Sequence, residues 1–196
     1  MSLGLALLRA LWLFLPVYVA NMVPVGAARL LPRWSDAIDG GRRDARGQRL
    51  LGENKTWRGL VCGSLAAGLT ACLLAALARG PFEGLDFGLS RTGWMGVGTF
   101  GSALGVAALA GDAAKSWLKR RVARPPGSAW FPFDQLDFVV GALLGIVLAA
   151  PLTGGWALTA YFGDWRVPLL FVLASPGLQW LSSVLAHAAG LKRSPW

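Results

Sequence analysis

Three aspartates stand where long apolar stretches end or begin: Asp112 closes one stretch, and Asp134 and Asp137 open the next. A carboxylate close to the hydrocarbon boundary is expensive and tends to be kept where it does chemistry. Asp134 and Asp137 are three residues apart, so on a helix they share a face. Hard oxygen ligands in ones and twos, completed by phosphate, are the usual way of holding Mg²⁺. Asp112, Asp134 and Asp137 are therefore the candidate catalytic carboxylates and Mg²⁺ ligands. The plainer reading is helix capping and compensation of the helix dipole, which accounts for one of the pair more easily than for both.

Between these acids runs Lys115-Ser116-Trp117-Leu118-Lys119-Arg120-Arg121. On a helix Lys115 and Lys119 are i,i+4 neighbours with Ser116 and Arg120 beside them. Such a face could clamp phosphates, lysine as a point charge and arginine as a fork. A collar of snorkelling cations at the bilayer surface is the alternative. A second polar segment, Gly52-Glu53-Asn54-Lys55-Thr56-Trp57-Arg58-Gly59, sets Asn54, Lys55, Thr56 and Arg58 at an expected helix start. Backbone N–H groups and the dipole favour anions there. Its order is not the G-x-x-x-x-G-K-[ST] of a Walker A loop.

Other chemistries lack their residues. His187 is the single histidine and falls deep in the last apolar stretch, where it reads as a packed or hydrogen-bonded side chain. There is no Cys/His cluster for zinc, no G-x-S-x-G elbow and no Ser/His/Asp set. Cys62 and Cys72 share one apolar stretch and read as small buried hydrophobes. Nineteen Lys and Arg against ten Asp and Glu would suit nucleic acid, but membrane topology and phosphate ligation already account for the cations.

The elements that must position these groups are membrane helices. Hydrophobic residues make up 55% of the 196 and charged residues 15%, against roughly 25% charged in a soluble domain. Five charge-free stretches, Ala10–Ala28, Gly59–Ala78, Thr92–Gly111, Phe138–Gly163 and Val167–Leu191, are 19 to 26 residues long. About 20 apolar residues suffice for a helix to cross a bilayer. None alternates with period 2 as barrel strands do, and a lipid-exposed backbone must satisfy its own hydrogen bonds. The expected fold is an all-α integral membrane protein, one domain over residues 1–196. Five transmembrane helices carry two polar cytoplasmic loops that form the active site. Runs such as Gly63-Ser64-Leu65-Ala66-Ala67-Gly68 and Gly101-Ser102-Ala103-Leu104-Gly105 let helices approach closely. Pro16 and Pro24 predict a first segment that is kinked or broken. The short connection between the third and fourth spans predicts antiparallel neighbours, with Asp112 brought toward Asp134 and Asp137.

Orientation follows from the cations. With five spans, the Arg29–Arg58 block, the Asp112–Asp137 block and the C-terminal tail share one side and hold 15 Lys and Arg, against 4 on the other. The positive-inside rule puts the 15 in the cytoplasm, with the N-terminus outside and the C-terminus inside an inner cell membrane. A cleaved signal peptide is disfavoured, because only Arg9 serves as a basic n-region and no A-x-A site precedes the polar block.

With these residues in view, the sequence resembles the CDP-archaeol synthase family, related to the CDP-diacylglycerol synthases (phosphatidate cytidylyltransferases). The resemblance is carried by Ala37-Ile38-Asp39-Gly40-Gly41, by Arg49 to Gly59, by Gly111-Asp112-Ala113-Ala114-Lys115 through Arg121, by Pro132-Phe133-Asp134-Gln135-Leu136-Asp137-Phe138, and by Gly190-Leu191-Lys192 with Pro195-Trp196. The similarity covers nearly the whole chain, and the motifs are specific in combination. Two places depart from the family pattern. The last helix has Gln179, Ser183 and His187 where His, Asn and Tyr are usual, and Pro125-Pro126-Gly127 stands where Lys-Pro-Gly is commoner. The first departure bears on chain specificity of the lipid more than on the reaction.

The resemblance implies a CTP-dependent cytidylyltransferase that requires Mg²⁺. Its partners would be CTP, a membrane lipid phosphate such as 2,3-bis-O-geranylgeranylglycerol 1-phosphate, and the bilayer, with no nucleic acid and a homodimer left open. Asp112, Lys119, Asp134 and Asp137 would be catalytic. Asp39, Asn54, Lys55, Thr56, Arg58, Lys115, Ser116, Arg120 and Arg121 would bind CTP or the lipid phosphate. Two rivals stand beside it: a non-catalytic five-span protein that binds or flips anionic head groups, and a lipid-phosphate transferase using an isoprenoid carrier. The acids discriminate, because a head-group binder gains nothing from carboxylates beside phosphates unless a metal lies between.

Overall fold

A computed structural model describes residues 2–45, 47–52, 54–86, 88, 92–122, 130 and 133–190, with the backbone alone at 133. Among them are six α-helices: α1 (Leu3–Leu30), α2 (Trp57–Ala78), α3 (Trp94–Arg121), α4 (Phe133–Ala149), α5 (Trp156–Phe162) and α6 (Arg166–Ala188). Two isolated bridges, Ala37 with Thr56 and Arg43 with Arg49, are the only β pairing among the described residues. Five helices are long and apolar enough to cross a membrane, as the charge-free stretches predict. At ~1.5 Å per residue the 22-residue α2 is about 33 Å long, close to the thickness of a hydrocarbon core.

Each of α1 to α4 packs on the next, and α6 closes the bundle against α1 and α4. The centre is aromatic: Phe14 stacks on Phe171 with ring centroids 3.6 Å apart, and Phe100, Phe138 and Tyr161 are buried around them. Outward faces are equally apolar. Leu69, Leu73, Leu144 and Leu173 are exposed, as lipid-facing positions should be. Exposed tryptophans mark both ends, Trp57 and Trp117 at the end carrying the polar loops, Trp94 and Trp165 at the other.

Small residues set the helix spacing. A Cβ at Gly63 would lie 2.7 Å from the Ala20 carbonyl oxygen, and one at Gly101 would lie 2.9 Å from that of Ala67. The α3–α4 seam is tighter still. A Cβ at Gly141 would come within 2.3 Å of the Ala107 carbonyl oxygen, and one at Gly111 within 2.4 Å of that of Asp137. Residue numbers fall along α3 as they rise along α4 in these contacts, so the two helices are antiparallel, as predicted.

Three expectations are corrected in whole or in part. First, α1 is not broken: it runs as one helix through Pro16 and Pro24. Second, the stretch Phe138–Gly163 is not a single span. A short 3₁₀ turn, Ala150–Thr153 with Pro151 near its start, follows α4, and Gly154 and Gly155, both with positive φ, turn the chain into the seven-residue α5. That helix caps the end away from the loops, where the Tyr161 hydroxyl donates to the Leu13 carbonyl at 2.8 Å. Arg9, inside the apolar α1, is held there by the Thr159 and Ala160 carbonyls at 3.2 and 2.6 Å. Third, His187 is exposed in the last turn of α6 instead of lying deep among apolar residues.

Candidate active site

The loop between α1 and α2 is organised by Asp39. Gly40 and Gly41 have positive φ and turn the chain back, so that one Asp39 oxygen accepts from the Gly41 amide at 3.0 Å and from Arg49 at 2.9 Å. The other oxygen accepts from the Leu51 amide at 3.0 Å. Burial alone would push this carboxyl up, but Arg49 and the two amides outweigh it and hold it below the ordinary carboxylate value. Asp39 is thus held by three hydrogen bonds from the protein and shapes the loop.

The start of α2 also has local duties. Thr56 is the N-cap, its hydroxyl oxygen accepting from the Gly59 amide at 3.2 Å. Arg58 is buried and donates to the Leu31 carbonyl at 2.7 Å, tying the end of α1 to α2. Among the described residues of this segment Lys55 is aimed into the cluster, donating to Asp112. Asn54 is exposed in the turn before it.

The cluster itself forms where α3 and α4 meet at the loop end. The i,i+3 spacing puts Lys115 over Asp112, at 3.4 Å, and the antiparallel α4 brings Asp134 and Asp137 to the same ammonium at 3.2 and 2.7 Å. Lys119, one turn further on, donates to both oxygens of Asp134 at 2.9 and 3.1 Å. Asp134 also accepts from the Trp130 amide at 2.6 Å, and its own carbonyl accepts from Gln179 of α6 at 3.3 Å. Asp137 is the most enclosed of the three, its side chain 4% exposed. Ser116 is half-buried on α3. Arg120 reaches the first loop, its Nη2 lying 3.4 Å from where a Cβ of Gly52 would be. Arg121 stands apart, exposed with its guanidinium 5.0 Å from the Trp117 ring.

The site predicted from sequence therefore divides. Asp112, Lys115, Lys119, Asp134, Asp137 and Lys55 are brought together, with Ser116 and Arg120 close by in the sequence of α3. Asp39, Thr56, Arg58 and Arg121 have structural partners elsewhere. What the spacing did not disclose is the order inside the cluster, since the point shared by the three carboxylates is taken by Lys115. Among the described residues no set of three or more His, Cys, Asp or Glu side chains is arranged to hold a metal ion as it stands. The i,i+3 and i,i+4 offsets of Lys115 from Asp112 and Lys119 were the available signal.

Beside the cluster, a cleft of about 490 Å³ runs between α3 and α4. Its walls are apolar, including Ala107, Gly111, Gly141, Leu144 and Leu148, and Lys115 and Asp137 of the cluster border it.

Five apolar spans, with three lysines and three aspartates gathered at one end of the bundle and an apolar groove beside them, define an integral membrane protein with a polar cluster at the edge of its spans. Known proteins narrow that class. The family model for CarS-like CDP-archaeol synthases matches residues 3–196. A CDP-archaeol synthase of Halobacterium salinarum is 40% identical over 190 residues, covering 95% of each chain. That of Halorubrum lacusprofundi is 37% identical over 99% of each, and that of Methanopyrus kandleri 32% identical over 96% of this chain and 92% of its own. A solved structure described as an intramembrane enzyme for archaeal membrane lipids biosynthesis superposes with a TM-score of 0.65 at 28% identity, covering 91% of this chain and 94% of that one. The chain belongs to the CDP-archaeol synthase family and is accordingly a multi-pass membrane enzyme, a CTP-dependent lipid cytidylyltransferase.

Proposed function

We propose that the enzyme moves a cytidylyl group from CTP onto a lipid phosphate of the archaetidic acid kind, such as 2,3-bis-O-geranylgeranylglycerol 1-phosphate. It releases pyrophosphate and works at the cytoplasmic face. The observation that carries this reading is the α3–α4 seam, where an apolar cleft lies beside the cluster and is bordered by Lys115 and Asp137. A phosphorylated lipid has that same division, with hydrocarbon that fits beside Leu144 and Leu148 and a phosphate that fits the cations.

The donor set also fits Mg²⁺. Three carboxylates from two helices converge within 3.4 Å of one cationic point, and carboxylate oxygens are the ligands this ion takes. Asp112, Asp134 and Asp137 would hold it, and when bound it would offset charge on the phosphate oxygens that attack and leave. The rest falls to the chain. Lys55, Lys119 and Arg120 hold the triphosphate and the lipid phosphate, with Ser116 as a neutral donor beside them. Both substrates are phosphates and repel each other, so the cations lower the cost of bringing them together. The lipid phosphate oxygen then attacks the α-phosphorus with pyrophosphate opposite, an arrangement that asks for positioning and charge more than for covalent help from the protein.

The test is purified enzyme with CTP, Mg²⁺ and a panel of lipid phosphates differing in ether or ester linkage and in isoprenoid or straight chains. The expected result is a CDP-lipid and pyrophosphate in equal amounts, fastest with the ether-linked isoprenoid acceptor. Equal rates across the panel would remove the acceptor assignment, and binding without product would favour a head-group binder.

A further inference from the structure

Within the cluster the charges balance without any metal. Three lysine ammoniums, Lys55, Lys115 and Lys119, contact three carboxylates, Asp112, Asp134 and Asp137. Lys115 is the member the others share. Its ammonium touches all three carboxylates, whereas the contacts of Lys55 and Lys119 within the cluster are to Asp112 and to Asp134 respectively. Mg²⁺ holds oxygens at about 2.1 Å, so the oxygens now 2.7 to 3.4 Å from the Lys115 nitrogen would have to close in on an ion near the place this ammonium fills. Both cations cannot share that place, because a dication and an ammonium at such range repel strongly in a half-buried setting. Lys115 sits on a flexible four-carbon stem and can swing away, but leaving three carboxylates for open solvent gains it nothing.

From this geometry, and resting on the reading of a Mg²⁺-assisted CTP site, we infer that Lys115 is a built-in counter-ion that keeps divalent metal off the aspartates until a nucleotide triphosphate arrives to receive it. The triphosphate brings several negative charges, so the ion can take the carboxylates while Lys115 moves to a phosphate. Metal and nucleotide then bind as one unit. Metal alone is refused, and the carboxylates are never left bare next to the head groups of the membrane. By linkage, whatever factor CTP adds to metal affinity, metal adds to CTP affinity.

Mn²⁺ retained by the purified full-length enzyme, measured by equilibrium dialysis with electron paramagnetic resonance, tests this without turnover, because no acceptor lipid is added. The wild type should bind Mn²⁺ weakly alone and at least tenfold more tightly with CTP present. Lys115→Met keeps the stem and removes the charge; it should bind Mn²⁺ without nucleotide at least tenfold more tightly than the wild type, with little further gain from CTP. Lys115→Arg keeps the charge and should stay weak without nucleotide, which guards against a misfolded Met variant. Equal Mn²⁺ affinity in wild type and Lys115→Met, both folded, would overturn the inference. So would a wild type that binds Mn²⁺ equally well with and without CTP. A wild type that binds CTP but retains no Mn²⁺ under any condition would remove the metal reading itself, and the counter-ion role with it.

Discussion

At the scale of single residues, Asp112, Asp134 and Asp137 all meet the Lys115 ammonium within 3.4 Å, and Lys119 secures Asp134 from the next turn. The three aspartates were legible because charge at the edge of an apolar span is costly, and Lys119 because it lies one turn from Lys115. The roles of Thr56 and Arg58 were not, since a cap and a carbonyl tie use the same residue types as a phosphate site. The carboxylates give the clearest substitutions. Asp134→Asn and Asp137→Asn keep size but lose the charge that pairs Lys115 and would hold metal. Each should lower cytidylyl transfer by about a hundredfold or more, roughly 3 kcal/mol in the transition state, in a protein that still inserts and folds. Wild-type rates with unaltered Mg²⁺ dependence in both would return these residues to structural duty. Asp39 makes a separate prediction. Its folded pKa is depressed, so the order it lends the first loop is fully present above the ordinary carboxylate pKa of about 3.9 and is lost as pH falls through the lower folded value. Hydrogen exchange at the Leu51 amide, corrected for intrinsic rate, should accelerate across that acidic window. Asp39→Asn should show fast exchange at neutral pH as well. Protection that is flat with pH in the wild type would contradict this.

At the scale of helices, hydropathy located all five spans but misjudged one end. Apolar composition continues through Pro151 and Gly154-Gly155 into α5, and a charge count cannot see a backbone that turns. The unbroken α1 shows the converse: proline in a membrane helix marks a position where neighbours can absorb the lost hydrogen bond, without requiring a break. The α3–α4 seam matters most, because it sets the distance between Asp137 and Lys115. Gly141→Ala places a methyl 2.3 Å from the Ala107 carbonyl oxygen. The helices must separate, at a cost of about 1–3 kcal/mol for overpacking. A lower unfolding temperature in detergent and a lower turnover number should appear together. Unchanged stability with normal turnover would show that the seam tolerates more space than its geometry implies.

For the whole molecule, the fold class and the gathering of both polar loops at one end follow from five spans and the positions of charge. The cleft does not, because it depends on how tightly α3 and α4 pack. Which way the molecule faces is a prediction from 15 cations on the loop side against 4 on the other. A reporter active only in the cytoplasm should work when fused after Trp196, and a periplasmic reporter there should be silent. The reverse would set the loop end on the outer face, away from cytoplasmic CTP.

The central claim is that the cluster transfers the cytidylyl group and no other part of CTP. Two parallel reactions of purified enzyme, lipid phosphate and Mg²⁺, one with CTP labelled at the α-phosphate and one at the γ-phosphate, address it directly. The α-label should move into the organic-soluble lipid while the γ-label stays in water as pyrophosphate. A γ-label in the lipid would make the enzyme a kinase, and no label in the lipid from either nucleotide would contradict transfer altogether.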